Sequence, residues 1–294
     1  MYFPRRFVAY TLLLTFCACK DHARKASDAV VDDFGDVVHT DHAPTRIVSL
    51  NPSTTEILFA LGAADRLVGR SNYDWWPDSA KLIPALGDGI RPNVEAVLAA
   101  HPDLVLLYAS LDNRAAASRL RSAGVNTLSL KIDHIADFAR GVRLLGTVIG
   151  DTVRARIVVD SVQRTLASVR AATQGLTAPK VFWHIWDAPI MTIGGGSFMN
   201  ELVDIAGARN VYADIKSPSA EISLEDISRR DPDFILAGPV GKRQIESDPR
   251  WLIVRAARDH KILVVDTTLV ARPAVRLGEA AVSLARLLHP GVLR

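Results

Sequence analysis

Apolar side chains between Ile135 and Leu176 recur as they would along one side of a helix. Phe138, Val142, Leu145 and Ile149 are followed by Val153, Ile157, Val162, Leu166 and Val169, at spacings of mostly three to five. Gly150-Asp151 reads as one helix stopping and the next being capped. The second helix then runs from Asp151 to about Thr173, roughly 35 Å at 1.5 Å per residue. That is long enough to cross a small domain.

Before this rod, short apolar runs alternate with amphipathic stretches. Arg46–Asn51, Leu67–Gly69, Asp103–Tyr108 and Val125–Leu130 read as strands, and Ser53–Leu61, Asn93–Ala100 and Asn113–Ala123 as helices. Ser53 with Glu56 has the form of a capping box, and Ser71–Pro92 reads as loop. After the rod the order repeats. Lys180–Ile185, Val211-Tyr212, Asp233–Leu236 and Ile262–Asp266 are the strands, and Phe198–Ile205, Leu224–Arg229 and Trp251–Ala257 the helices. Two matches support a duplication. Glu56 to Gly62 corresponds to Glu201 to Gly207, and Glu95 and Glu225 each stand seven positions before a Pro-Asp pair that opens an apolar strand. The predicted class is α/β, with two similar lobes of parallel-type sheets joined by one long rigid α-helix and a ligand cleft between them. The boundaries expected are 45–134 for the N-terminal lobe, 135–176 for the linker helices and 177–294 for the C-terminal lobe.

Composition adds an address. Residues 1–19 carry a basic pair, Arg5-Arg6, then an apolar run from Phe7 to Phe16, the form of a secretory signal and too short for a membrane span. The only two cysteines, Cys17 and Cys19, fall at its end. Cys19, preceded by Ala18, fits a lipidation site better than Cys17, with cleavage to an unlipidated chain as the alternative. The body then has no thiolate for a disulfide or metal site. Polar residues 20–44, with His39 and His42, read as a tether. A net charge of +3, spread without a stripe, argues against nucleic acid as a partner.

Candidate chemistry gathers in loops that follow strands. Four of the five tryptophans fall in two stretches, Tyr73-Asp74-Trp75-Trp76 and Trp183-His184-Ile185-Trp186. Exposed rings there offer flat apolar area with little rotamer entropy to lose, suited to a broad planar ligand. Trp183, within a strand, is as readily a core residue. Tyr108 ends its strand and adds a ring to the rim. Arg272 and Arg276 follow the last strand and can donate to carboxylate, phosphate or amide oxygen, Arg272 being the better placed and Arg276 readable as a surface residue of the final helix. Gly194-Gly195-Gly196-Ser197 resembles an anion cradle but equally a tight strand-to-helix turn, and lacks the Walker lysine. His184 is a candidate axial ligand or a histidine paired within its strand. Glu95 and Glu225 are either helix-dipole caps or a twofold pair of plugs for a partner with basic sockets. Motifs for hydrolases, zinc proteases or cysteine nucleophiles are missing from the sequence, so the chain is read as no enzyme.

The segments RIVSLNPSTTEILFALGAADRLVG, PNVEAVLAAHPDLVL and SLEDISRRDPDFIL, flanking the rod, resemble the substrate-binding proteins of bacterial ABC importers with a helical linker, the family taking up vitamin B12, siderophores and haem. NYDWWP, FWHIWDAPIMTIGGGSF and ARPAVRLGEA look most like its cobalamin-binding branch, with departures near Gly89 and Ser219, where that branch carries tryptophans. The resemblance implies a corrinoid held by Tyr73, Trp75, Trp76, Tyr108 and Trp186, with Arg272 nearby. It implies docking of Glu95 and Glu225 on an ABC permease dimer with its ATPase. Cobalamin would be cargo, with no cofactor of the protein's own, and the location the periplasm or the outer face of the cell membrane, anchored through lipid at Cys19. Haem or a ferric siderophore is the alternative cargo, and a tetrapyrrole-processing enzyme or a metal-ion carrier the alternatives of other classes.

Overall fold

A computed structural model of the protein describes residue 2 and residues 30–293. The signal, Cys17 and Cys19 lie outside the described residues. Residues 30–44 are no tether. Strands β1 (Val30–Val31) and β2 (Val37–Val38) form a hairpin that places Val30 and Val38 in the main core. Asp32 fixes the turn: Oδ1 accepts from the amides of Phe34 and Asp36, both at 2.9 Å, and Oδ2 from that of Ser129 at 3.1 Å. Asp33 adds a two-pronged pair with Arg140, at 2.7 and 2.9 Å.

The first lobe follows with β3 (Ile47–Ser49), α1 (Pro52–Ala60), β4 (Leu67–Arg70), α2 (Val94–Ala99), β5 (Leu104–Tyr108), α3 (Leu111–Ser122) and β6 (Asn126–Leu130). Its strands pair in the order β4-β3-β5-β6, all parallel. The cap of α1 is Asn51, whose Oδ1 accepts from Ser53 N at 3.0 Å, with Pro52 in the first turn. Ser53 is therefore inside the helix, because Pro52, which has no amide to satisfy, begins it.

The connector consists of α4 (Ile135–Ile149) and α5 (Thr152–Thr173), broken where the sequence predicts, with Gly150 at φ +82° and the Asp151 side chain accepting from Arg154 N at 2.8 Å. Along α5 the buried residues are Ala155, Val159, Val162, Leu166, Val169 and Thr173. Val153 and Ile157, expected on that face, point outward at 59% exposure each. At 22 residues α5 is about 33 Å long.

The second lobe holds β7 (Lys180–Trp186), β8 (Met191–Ile193), α6 (Phe198–Ile205), β9 (Arg209–Asn210), β10 (Ser219–Glu221), α7 (Leu224–Arg230), β11 (Phe234–Ala237), α8 (Pro239–Ser247), α9 (Arg255–Arg258), β12 (Ile262–Val264) and α10 (Leu277–Leu288). β7, β9, β11 and β12 run parallel, whereas β8 pairs antiparallel with β7 and with β10. The parallel pattern expected here thus gains an antiparallel edge.

Period-two alternation explains how the sheets are covered on both faces. Ile47, Leu104 and Leu106 join the main core while Val48, Val105 and Leu107 face a second cluster on the other side of the first sheet. In the second lobe Val181, Trp183 and Leu236 face the main core, and Phe182, Ile235 and Ala237 turn to Trp251 and Tyr212. The main core also contains Phe138, Val142, Val159, Leu166 and Val169. One continuous apolar body therefore runs from lobe to lobe through the connector. Each lobe is pinned to α5 by the turn closing an equivalent helix: Arg154 Nη1 donates to Leu61 O at 3.3 Å, and Thr173 Oγ1 to Ile205 O at 3.1 Å.

Candidate functional site

The loops at the carboxyl ends of β4, β5, β7 and β12 meet between the lobes. The loop after β4 is held by Asp74, fully buried, whose carboxylate accepts from Ser71 Oγ and Thr55 Oγ1, each at 2.7 Å, and from Ser71 N at 3.2 Å. Burial pushes the Asp74 carboxyl above the usual range, and those three bonds oppose the rise. With Asp74 anchored inward, the adjoining rings project outward. Trp75 is 60% exposed, its Nε1 donating to Asn72 O at 3.0 Å, and Tyr73 lies 6.5 Å from it, ring to ring. Trp76 is half-buried under the Arg276 guanidinium, 5.2 Å from the ring centre. Arg276, readable from sequence as a surface residue, is therefore turned inward.

On the opposite wall Trp186, at the end of β7, is 63% exposed, its Nε1 donating to Ala188 O at 3.1 Å. Trp183 is core. Tyr108 ends β5 with its hydroxyl donating to Asp133 Oδ1 at 2.6 Å, and burial with Asp133 drives the phenol's pKa upward, so it stays a donor.

Three hollows share this space. One of about 540 Å³ is lined by Tyr73, Tyr108, Gly89 and Ile90 of the first lobe and by Ala271 and Arg272 of the second. One of about 650 Å³ lies among Trp186, Met199, Gln244, Thr267 and Ala271. The third, about 830 Å³, opens between Trp75 and Trp76 on one side and Thr267, Ala271 and Arg272 on the other. Shared walls at Thr267, Ala271 and Arg272 make them compartments of one interlobe cleft. Another hollow, about 600 Å³ between α5 and α10, is lined by Ser161, Thr165, Gly278 and Ser283 and carries no ring; it is a packing groove along the connector.

Arg272 comes from the second lobe but reaches the first. Its Nη1 donates to Tyr73 O at 3.4 Å and stands 3.6 Å from Glu56 Oε1. Glu56, read from the sequence as a marker of the repeat and as the partner of Ser53 in a capping box, proves to be 3% exposed behind Arg272, its pKa pushed up to about 7 by burial. The signal that could have found it is an acid in mid-helix between the polar run Ser53-Thr54-Thr55 and the apolar Ile57-Leu58, all of which are buried.

His184 is 4% exposed, and burial pushes its imidazole pKa down. Its Nε2 is shielded from solvent, makes no hydrogen bond among the described residues and lies 3.4 Å from Asp187 Oδ1, while the residue borders the hollow beside Trp186. The glycine run is a tight turn. The amides of Gly194 and Gly195 donate to Pro218 O and Ile215 O at 3.0 and 2.7 Å, leaving neither free for an anion. Glu95 and Glu225 stand in the first turns of α2 and α7, behind caps Asn93 and Ser223. Both are fully at the surface, and a bond from each one's own amide lowers its pKa, so both are charged at neutral pH. Glu95 pairs with Arg119 at 2.6 Å, whereas Glu225 has no ion pair among the described residues. Among those residues no group of three His, Cys, Asp or Glu could hold a metal ion, and no helix is long and apolar enough to cross a membrane.

The periplasmic binding protein family matches residues 47–269 of this chain. An uncharacterized ABC transporter substrate-binding lipoprotein of Bacillus subtilis, YvrC, is 30% identical over 259 residues, 85% of this chain and 82% of that protein. A cobalamin-binding protein of Halobacterium salinarum is 26% identical over 264 residues, covering 85% and 70%. A periplasmic heme-binding protein of Pseudomonas aeruginosa, of known structure, is similar with a TM-score of 0.75 at 25% identity, covering 85% of this chain and 94% of that one.

Proposed function

We propose, from the premise that this chain belongs to the periplasmic binding protein family and is an ABC-importer substrate-binding protein of the B12, haem and siderophore class, that its cargo is a corrinoid. The observation that carries this reading is the pair of indoles, Trp75 and Trp186, each more than half exposed on opposite lobes of one cleft. Leaving such area in water is costly, and a broad flat ligand between the lobes would cover it. Tyr73, Trp76 and Tyr108 extend the ring surface, and Arg272 supplies a donor for an oxygen at the ligand's edge. The cobalamin-binding relative from Halobacterium supports the choice of cargo. Glu95 and Glu225 are the docking charges for the permease dimer, and Cys19 the lipid attachment that keeps the protein at the outer face of the cell membrane.

Titrating the mature protein with cyanocobalamin, followed by tryptophan fluorescence, tests the cargo. Binding below micromolar concentration is expected. Trp75→Ala and Trp186→Ala should each weaken it about tenfold, the value of roughly 1–2 kcal/mol of lost ring contact, with thermal stability nearly unchanged because both rings are mostly exposed. Absence of binding at micromolar cyanocobalamin, with saturable binding of hemin, would move the assignment to haem, a reading that the Pseudomonas relative favours.

A further inference from the structure

Glu56 lies in the middle of α1, 3% exposed, and its carboxylate accepts no hydrogen bond from any other described residue. Its nearest cation belongs to the other lobe: Arg272 Nη1, 3.6 Å from Oε1. Of its five donor hydrogens Arg272 uses one, in a long bond to Tyr73 O at 3.4 Å, while lining two of the three compartments of the cleft. A guanidinium so poorly satisfied beside a buried carboxylate has room for a second acceptor. We propose that Glu56 is a positioning residue that competes with an anionic group of the bound ligand for the Arg272 guanidinium, so that capturing the ligand and loosening this contact between the lobes are one event.

The proposal rests on reading the cleft as the ligand site, with Arg272 facing the cargo. The groups that act on Glu56 have fixed signs. Burial raises its pKa, Arg272 and Arg276 of the second lobe lower it, and Asp74 of the first lobe and Glu279 of α10 raise it. Asp74 also feels the Arg272 charge, but its carboxylate is engaged by Ser71 and Thr55 and makes no ion pair with Arg272 among the described residues. With a pKa of about 7, Glu56 passes from charged to neutral in the neutral range. Above that pH it holds part of the guanidinium's attraction; below it the floor of the cleft carries uncompensated positive charge. An anion brought to Arg272 weakens the attraction that keeps Glu56 ionised and so raises its pKa further, so binding takes up a proton. Affinity for an anionic ligand must then rise as pH falls through 7.

The test is a binding titration with cyanocobalamin, whose phosphodiester stays ionised from pH 5.5 to 8.5. Wild type should bind about fivefold more tightly at pH 6 than at pH 8, the size set by a rise of about one pH unit in the Glu56 pKa on binding. Glu56→Gln, of the same shape and uncharged, should bind at both pH values with the affinity that wild type shows at pH 6. A flat wild-type profile, or a Glu56→Gln profile with the wild-type slope, overturns the proposal. If neither cyanocobalamin nor hemin binds at any pH, the cargo reading fails by itself. The competition is then judged on the ligand-free protein by a carbon-13 titration of the Glu56 carboxyl, whose midpoint should climb by at least half a pH unit in Arg272→Gln. A midpoint unmoved by that substitution refutes the competition.

Discussion

Replacing Glu56 by Gln isolates what a charge on the cleft floor costs the folded chain. The Glu56 pKa stands at about 7 against an ordinary 4.5, chiefly because burial removes the water that would solvate the carboxylate, with Arg272 and Arg276 recovering part of that loss. An acid whose pKa is higher folded than unfolded holds more protons when folded. Stability is therefore undiminished below pH 4.5, falls as pH climbs from 4.5 to about 7, and stays reduced above. At about 1.4 kcal/mol per pH unit, that interval corresponds to about 3 kcal/mol. Gln keeps the shape without the ionisation. Ligand-free Glu56→Gln should unfold with wild type near pH 4.5 and exceed it by about 3 kcal/mol at pH 8, roughly 6–12 °C in melting temperature for a chain of this size. Denaturant unfolding of both proteins at the two pH values measures the difference. A gap of equal size at pH 4.5 and pH 8 would refute the reasoning, since a packing effect does not titrate.

Two further outcomes follow from the connector and the surface. Gly207 closes α6 at φ +76°, and a Cβ there would stand 2.7 Å from Thr173 Cβ on α5. Gly207→Ala should thus cost about 2 kcal/mol or more in denaturant unfolding, whereas Gly124→Ala, at φ +84° with open space around it, should cost only the backbone penalty of about 1 kcal/mol. Reversing charge at both Glu95 and Glu225 should abolish cellular uptake of the cargo while leaving its affinity for the purified protein unchanged; unimpaired uptake would reduce the two residues to helix caps.

Where apolar period and burial coincide, the sequence was a sufficient guide. The runs in β3, β5, β7 and β11 are continuous because each strand is covered on both faces, and the break at Gly150 is marked by the one residue type that takes a positive φ without cost. Elsewhere a local pattern misleads. Val153 and Ile157 look like members of the buried stripe of α5, yet the helix face against the protein carries Ala155, whose small size escapes a search for large apolar residues. Helix α8 buries only Gly241 and Ile245, too few to leave a period, and β8 and β10 are three residues each. The hairpin at residues 30–38 is too short for a period to show, two valine pairs around three aspartates, and is held by Val30 and Val38 in the core and by Asp32, which satisfies three amides.

The duplication itself shows where sequence legibility ends. Glu56 and Glu201 hold the same place in the repeat, before glycines at φ +71° and +76°, and those two turns meet the two ends of α5 in the same manner. Their carboxylates nevertheless do different things. Glu201 is half-buried where the second lobe meets α4, bonded to His134 Nδ1 at 2.6 Å and to the amide of Ile135 at 3.1 Å, so that it caps the start of α4. Glu56 is sealed beneath the cleft and faces a cation from the opposite lobe. A repeat fixes the backbone position of a residue because helix, turn and strand are local; what the side chain meets is decided by how the lobes pack, which has no counterpart in the period. The pseudo-symmetry of the scaffold therefore identifies equivalent positions, and the asymmetry across the cleft has to be found in three dimensions, where burial brings the ionisation of one of two matching glutamates near neutral pH and Arg272 of the opposite lobe opposes that rise.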